Sequence, residues 1–184
     1  MNKKSFIIIA SVITCAGLLW IILTPVLFPI HQAEVGPSAP HAGFPAPTFT
    51  LQTPDGSNIS LGDYEGQPVL VFMWASWCSV CKATMPGLQQ VYQSYQEDGF
   101  EILAVNATSQ DNLVNALDYF QAQNYAFPML LDQEGEVAKA YQLRALPTAI
   151  LIRPDGLIHD VIIGSGLSQG YLTAALNHLL KGED

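Results

Sequence analysis

The sequence predicts an α/β protein: a central mixed sheet flanked by helices on both faces, with an N-terminal β-hairpin and a single N-terminal transmembrane helix ahead of it. Three observations carry this prediction. Strand-length apolar runs alternate with helix-period segments through the middle of the chain, an antiparallel hairpin and an amphipathic helix close it, and an uncharged apolar stretch opens it.

Residues 6–30 are apolar almost throughout and hold no charge. At about 1.5 Å per residue, such a run crosses a hydrocarbon core of roughly 30 Å. Pro25 and Pro29 lie near its far end, where a helix is expected to stop. Lys3 and Lys4 precede the run and all sixteen acids follow it, so residues 1–30 read as an anchor with its lysines on the cytoplasmic side. The domain that follows is then expected on the extracytoplasmic side, periplasmic or extracellular. A cleaved signal peptide is the rival reading, but the run exceeds the usual apolar length and no clear small-x-small site directly follows. Cys15 lies inside the run, where a thiol packs as a small hydrophobe. Residues 31–47, rich in Pro, Ala and Gly, read as an extended tether on which His31 and His41 are solvated.

Residues 48–184 suit one compact domain. Alternation over 48–53, the turn Pro54-Asp55-Gly56 and residues 58–61 predict a β-hairpin, followed by a loop over 62–68. Residues 69–75 are continuously apolar, as in a strand covered on both faces. Helical spacing over 79–96 predicts a helix that Pro86 interrupts and kinks. A second buried strand at 100–106, a helix at 111–123, a short strand at 127–131 and a short helix at 134–142 follow. Residues 148–152 and 157–163 flank Pro154-Asp155-Gly156 as a second hairpin, and 169–180 close the chain as a helix. With a net charge of −9, the chain has no basic footprint for nucleic acid.

Chemistry concentrates where the first buried strand runs out, at Phe72-Met73-Trp74-Ala75-Ser76-Trp77-Cys78-Ser79-Val80-Cys81-Lys82. Cys78 falls at the start of a helix, where free N–H groups and the helix dipole favour a thiolate. Cys81, one turn on, is close enough to form a disulfide with it and to resolve a mixed disulfide. Trp77 offers a flat apolar contact to a substrate chain. Zinc would need four ligands, and neither a second cysteine pair nor a close histidine pair exists. A permanent structural bond closing so short a loop would gain little entropy. His159 and His178 read as structural, Lys82 as an exposed helix lysine, and Asp132, Glu134 and Glu136 as a solvated acidic loop.

Trp-Cys-x-x-Cys after a buried strand, with Leu146-Pro147-Thr148 before a later one, resembles the thioredoxin superfamily over residues 45–180. The anchor, the first hairpin and the extra strand–helix segment at 107–142 resemble its TlpA/ResA-type branch, which includes CcmG-type cytochrome c maturation reductases. The resemblance implies a thioredoxin-like fold and a cis Pro147 facing the cysteine pair. It also implies that the backbone at Leu146 pairs with an extended substrate segment. The activity it implies is thiol–disulfide exchange, in the reducing direction, on disulfides of exported proteins such as apocytochrome c. Electrons would come from a membrane thiol carrier of CcdA or DsbD type, and no cofactor or metal would be needed besides the Cys78–Cys81 disulfide. Three departures stand out: Ser79-Val80 between the cysteines in place of a dipeptide ending in proline, Thr84 where ResA-type members often carry glutamate, and Phe72 where thioredoxins carry a buried aspartate. No general base is assigned. Two other functions fit the sequence less well. A peroxiredoxin-like thiol peroxidase needs a Pro-x-x-x-Thr-x-x-Cys pattern that is missing before Cys78. A Sco-like copper chaperone needs longer cysteine spacing and a matched histidine, for which His159 is the only remote candidate.

Overall fold

The computed structural model describes residues 40–181; the predicted anchor at 1–30, Cys15 and the tether up to residue 39 lie outside the described residues. Among the described residues no helix is long and apolar enough to cross a membrane. Seven strands form one mixed sheet in the order β2-β1-β5-β4-β3-β6-β7. They are β1 (Thr50–Gln52), β2 (Asn58–Ser60), β3 (Val69–Trp74), β4 (Glu101–Asn106), β5 (Met129–Leu131), β6 (Thr148–Ile152) and β7 (Ile158–Ile163). β3, β4 and β5 run parallel, while β6 pairs antiparallel with β3 and β1 antiparallel with β5. Among the described residues four α-helices accompany them: α1 (Ser79–Tyr95), α2 (Leu113–Gln123), α3 (Glu136–Ala140) and α4 (Gln169–Lys181).

β3 is buried along its whole length, and its side chains divide by period two. Leu70, Phe72 and Trp74 face a core built with Met85 and Leu88 of α1, Ala116 of α2, and Leu172 and Leu176 of α4. Val69, Val71 and Met73 face a second core with Val137 and Ala138 of α3, Leu61 and Tyr141. Helices therefore cover both faces, as the continuous apolar run predicts, but α3 is only five residues long. Phe49, Leu51, Ile59 and Tyr64, from the first hairpin and the turn after it, pack against that second core. Each fully buried large side chain contributes roughly 1.5–3 kcal/mol.

Both Pro-Asp-Gly sequences make the predicted turns. Gly56 and Gly156 adopt φ of 87° and 82°, a left-handed conformation that other residues rarely take. Several expectations are refined. The predicted loop at 62–68 begins as a 3-10 turn, Leu61–Tyr64, because Ser60 and Asp63 form a reciprocal capping box. Part of the stretch read as tether is docked, with Gly43 and Ala46 donating to the carbonyls of Ile158 and Gly156 at 2.8 and 3.0 Å. Asp132 is not solvated but fully buried, because its carboxylate accepts the Val137 and Ala138 N–H groups at 3.2 and 2.8 Å and caps α3.

Glu101 begins β4 half-buried, accepting from the Ile102 N–H at 2.8 Å and the Tyr92 hydroxyl at 3.4 Å. Burial raises its carboxyl above the ordinary value, and those two hydrogen bonds offset only part of the rise. Burial and the Glu101 charge in turn push the Tyr92 phenol up to about 12. Folding thus tightens the proton on Glu101. Its stabilising contribution is complete below the unfolded value of about 4.3 and is lost as pH rises through the higher folded value. Glu101→Gln is expected to have a higher urea midpoint than the wild type at neutral pH, an advantage that vanishes below about pH 4. A lower midpoint at neutral pH would show that the two hydrogen bonds outweigh the burial.

Candidate active site at the end of the central strand

β3 ends at Trp74, and the chain turns through Ala75-Ser76-Trp77 into α1. Cys78 is the N-cap of this 17-residue helix, and its Sγ accepts the Cys81 N–H at 3.1 Å. Helix N–H groups and the dipole therefore favour negative charge on that sulfur. Cys78 and Cys81 form a disulfide with their Cα atoms 5.3 Å apart. Cys78 retains 6 % exposure and Cys81 none. An incoming molecule can reach only the first sulfur.

Sheet register assembles the surroundings. Met73 pairs with Thr148, which sets Pro147 beside the end of β3, and the Leu146–Pro147 peptide bond is cis. Pro147 is buried, while Leu146 is half-buried and packs against both cores. Trp77 stands 59 % exposed beside the disulfide, its Nε1 donating to the Gln110 carbonyl at 3.1 Å. The predicted residues Trp77, Cys78, Cys81, Leu146 and Pro147 thus share one end of the sheet. His159 does not join them, since β7 pairs Ile158 with Ile152 and Ile152 pairs with Val69 at the opposite end of β3. Among the described residues no group of three or more His, Cys, Asp or Glu could hold a metal ion.

Two residues at this end were not singled out from sequence. Asp111 accepts from the Ser76 N–H and hydroxyl, each at 2.6 Å, and from the Asn106 amide at 2.8 Å. Burial opposes ionisation of this carboxyl, but the hydrogen bonds from Ser76, Asn106 and Asn112 prevail and hold it below the usual range. Committing Asp111 to this network moves the start of α2 from the predicted 111 to Leu113, with Asn112 as N-cap. A polar Asn106 closing an apolar strand, then Asp-Asn before a helical period, is the signal that could have marked it. Tyr119 is the other. Pro86 has no N–H for the Lys82 carbonyl, and the Tyr119 hydroxyl supplies a donor instead, at 3.4 Å, to a helix that runs on through the proline. The Lys82 ammonium lies 5.4 Å from the Tyr119 ring centroid, so this lysine is half-buried over an aromatic face rather than the exposed residue expected.

The departures noted in the sequence hold in space. Phe72 is fully buried in the same core as Cys81, and Thr84 returns its hydroxyl to the Val80 carbonyl at 2.9 Å. A peroxide-cleaving pattern would place threonine at position 75 and proline at 71, where Ala75 and Val71 stand buried.

Comparison with known proteins agrees with this geometry. The AhpC/TSA family model matches residues 42–161. The thiol-disulfide oxidoreductase ResA of Bacillus subtilis (strain 168) is 29% identical over 184 residues, covering 100% of this chain and 98% of the relative. ResA of Halalkalibacterium halodurans is 35% identical over 132 residues, 72% of this chain and 74% of its own. The crystal structure of StoA from Bacillus subtilis superposes with a TM-score of 0.61 at 31% identity, covering 71% of this chain and 96% of that one. The chain belongs to the AhpC/TSA family, and within it to the thioredoxin-like thiol–disulfide oxidoreductases of TlpA/ResA/CcmG type.

Proposed function

We propose that this oxidoreductase works as a reductase of disulfides in exported proteins, on the extracytoplasmic side of a membrane to which residues 1–30 anchor it. The observation that carries the reading is the pairing of a reachable Cys78 sulfur at a helix N-cap with a fully buried Cys81. In the reduced protein the Cys78 thiolate attacks one sulfur of a substrate disulfide. A Cys78–substrate disulfide forms and the other substrate sulfur leaves as a thiolate, which takes up a proton. Cys81 loses its proton and attacks the Cys78 sulfur. The Cys78–Cys81 disulfide forms and the second substrate sulfur leaves and is protonated. Two electrons and two protons have then passed to the substrate. Trp77 supports the bound chain from one side, and the main chain at Leu146, ahead of Pro147, pairs with it from the other.

The oxidised protein must be returned to the dithiol by a second dithiol. For an outward-facing domain that donor is a membrane thiol carrier of CcdA or DsbD type, and no further cofactor enters the cycle. The resemblance of the Trp77–Cys81 and Leu146–Thr148 motifs to the TlpA/ResA/CcmG branch supports cytochrome c maturation as the setting, with apocytochrome c as one substrate. Lys3 and Lys4 just before the apolar run support the orientation.

Cys78→Ala is expected to reduce turnover of a protein disulfide to background. Cys81→Ala should keep the first step and accumulate a substrate-linked species that is visible on non-reducing gels and released by dithiothreitol. Equal residual turnover in the two variants would sink the assignment of roles. A reduction potential near that of thioredoxin, roughly −270 mV, is expected for the couple; a value near −120 mV would make the protein an oxidant. For the location, a membrane-impermeant maleimide applied to intact, reduced cells is expected to label Cys78. Labelling that appears only after lysis would put the domain inside.

A further inference from the structure

Four donors converge on one carboxylate beside the disulfide. The Ser76 N–H and the Asn106 amide reach Asp111 Oδ2 at 2.6 and 2.8 Å, and the Ser76 hydroxyl and the Asn112 N–H reach Oδ1 at 2.6 and 2.8 Å. Two donors on each oxygen suit an ionised carboxylate, which only accepts. A carboxamide in its place would turn an NH2 group toward two of those donors. These bonds join the loop carrying Trp77 and Cys78 to the loop leading into α2, and the Trp77 indole adds a tie to Gln110 at 3.1 Å.

Four of the six large apolar side chains exposed among the described residues lie in or next to the fastened segments. Trp77 and Val80 lie within two residues of Cys78. Leu113 and Val114, 37 % and 64 % exposed, lie within three of Asp111. A substrate sulfur must come within bonding distance of Cys78 Sγ. An extended chain advances about 3.3 Å per residue, so the two or three residues on either side of the substrate cysteine must rest on the surface around Cys78. Side chains already held in place lose little freedom when covered.

We propose that Asp111 is a positioning residue that presets Trp77, Leu113 and Val114 as one apolar platform, and that this platform receives the apolar residues flanking the reacting cysteine of a substrate chain. The proposal rests on Cys78 as the attacking sulfur and adds a selectivity among its substrates: aliphatic or aromatic neighbours beside the reacting cysteine.

The test uses the reduced full-length protein in detergent and two peptides, each carrying its cysteine as a mixed disulfide with thionitrobenzoate. One peptide has Leu and Val around the cysteine, the other Ser and Gln. The wild type is expected to react about tenfold faster with the apolar peptide. In Asp111→Asn that preference should fall to about twofold or less, while the rate with free dithiobis(nitrobenzoate) drops by no more than about threefold. The double variant Leu113→Gln/Val114→Gln, changed only at exposed positions, should lose the same preference with the Asp111 network intact. A wild-type ratio near one, or a preference retained in the double variant, would overturn the platform. A preference retained in Asp111→Asn, or an equal loss with all three disulfides, would overturn the positioning role. Failure of the underlying reading looks different: with Cys15 replaced by Ser, Cys78→Ala would react with the small disulfide as fast as the protein that keeps Cys78.

Discussion

Every residue of β3 is buried, so this strand can deliver chemistry to solvent only where it ends. The sheet brings three further segments to that level. Parallel pairing of Trp74 with Asn106 leads to Asp111, antiparallel pairing of Met73 with Thr148 sets Pro147 alongside, and α1 begins five residues past the strand. One buried strand thus fixes the position of the disulfide relative to its neighbours before any side-chain contact is considered. The price is local: Trp74 Nε1 is buried without a hydrogen-bond partner, at a cost of about 1–3 kcal/mol. Its ring offsets part of this by packing against Tyr119 and Phe120, each with centroids 5.8 Å away.

What was legible in the sequence follows the range of the interactions involved. Residues 69–75 announce a strand covered on both faces because burial leaves no polar alternation, and the two Pro-Asp-Gly turns announce hairpins because their glycine needs positive φ. Cys78 and Cys81 were readable because their chemistry is local to one helical turn. Asp111 was not, since its principal partner is Ser76, 35 residues away, and a strand–helix unit must fold between them before the two meet. Asp132 fails for another reason. Its partners are five and six residues on, but a buried cap and a solvated acidic loop share one sequence pattern, and only packing distinguishes them.

Phe72 and Thr84 bear on how the two sulfurs divide their work. Phe72 fills space in the core it shares with Cys81 and brings no polar atom, and Thr84 spends its hydroxyl within α1. A carboxylate at position 72 would sit fully buried, where an unpaired charge is costly, so the phenyl ring favours the folded state while leaving the resolving thiol without a neighbouring acid. Proton movement to and from Cys81 must then use solvent or the departing substrate thiolate, which is basic at the moment the second exchange needs a proton acceptor.

That constraint and the exposure asymmetry point the same way. Cys81 is sealed in the core and cannot be attacked from outside, yet it lies one helical turn from Cys78, with Cα atoms 5.3 Å apart in the bonded state. Its attack is intramolecular and already oriented, which gives it a high effective concentration against the mixed disulfide. The first exchange has no such advantage, because the substrate sulfur has to be brought to Cys78 from solution. Selectivity among substrates must therefore be exerted at that first encounter, by the surface around Cys78, and the second exchange can be indifferent to what the visiting chain is. A site with a fixed resolving half and a selective entry half needs its entry surface held as firmly as its sulfurs, and the ionised carboxylate between Ser76 and Asn106 is the group placed to do that.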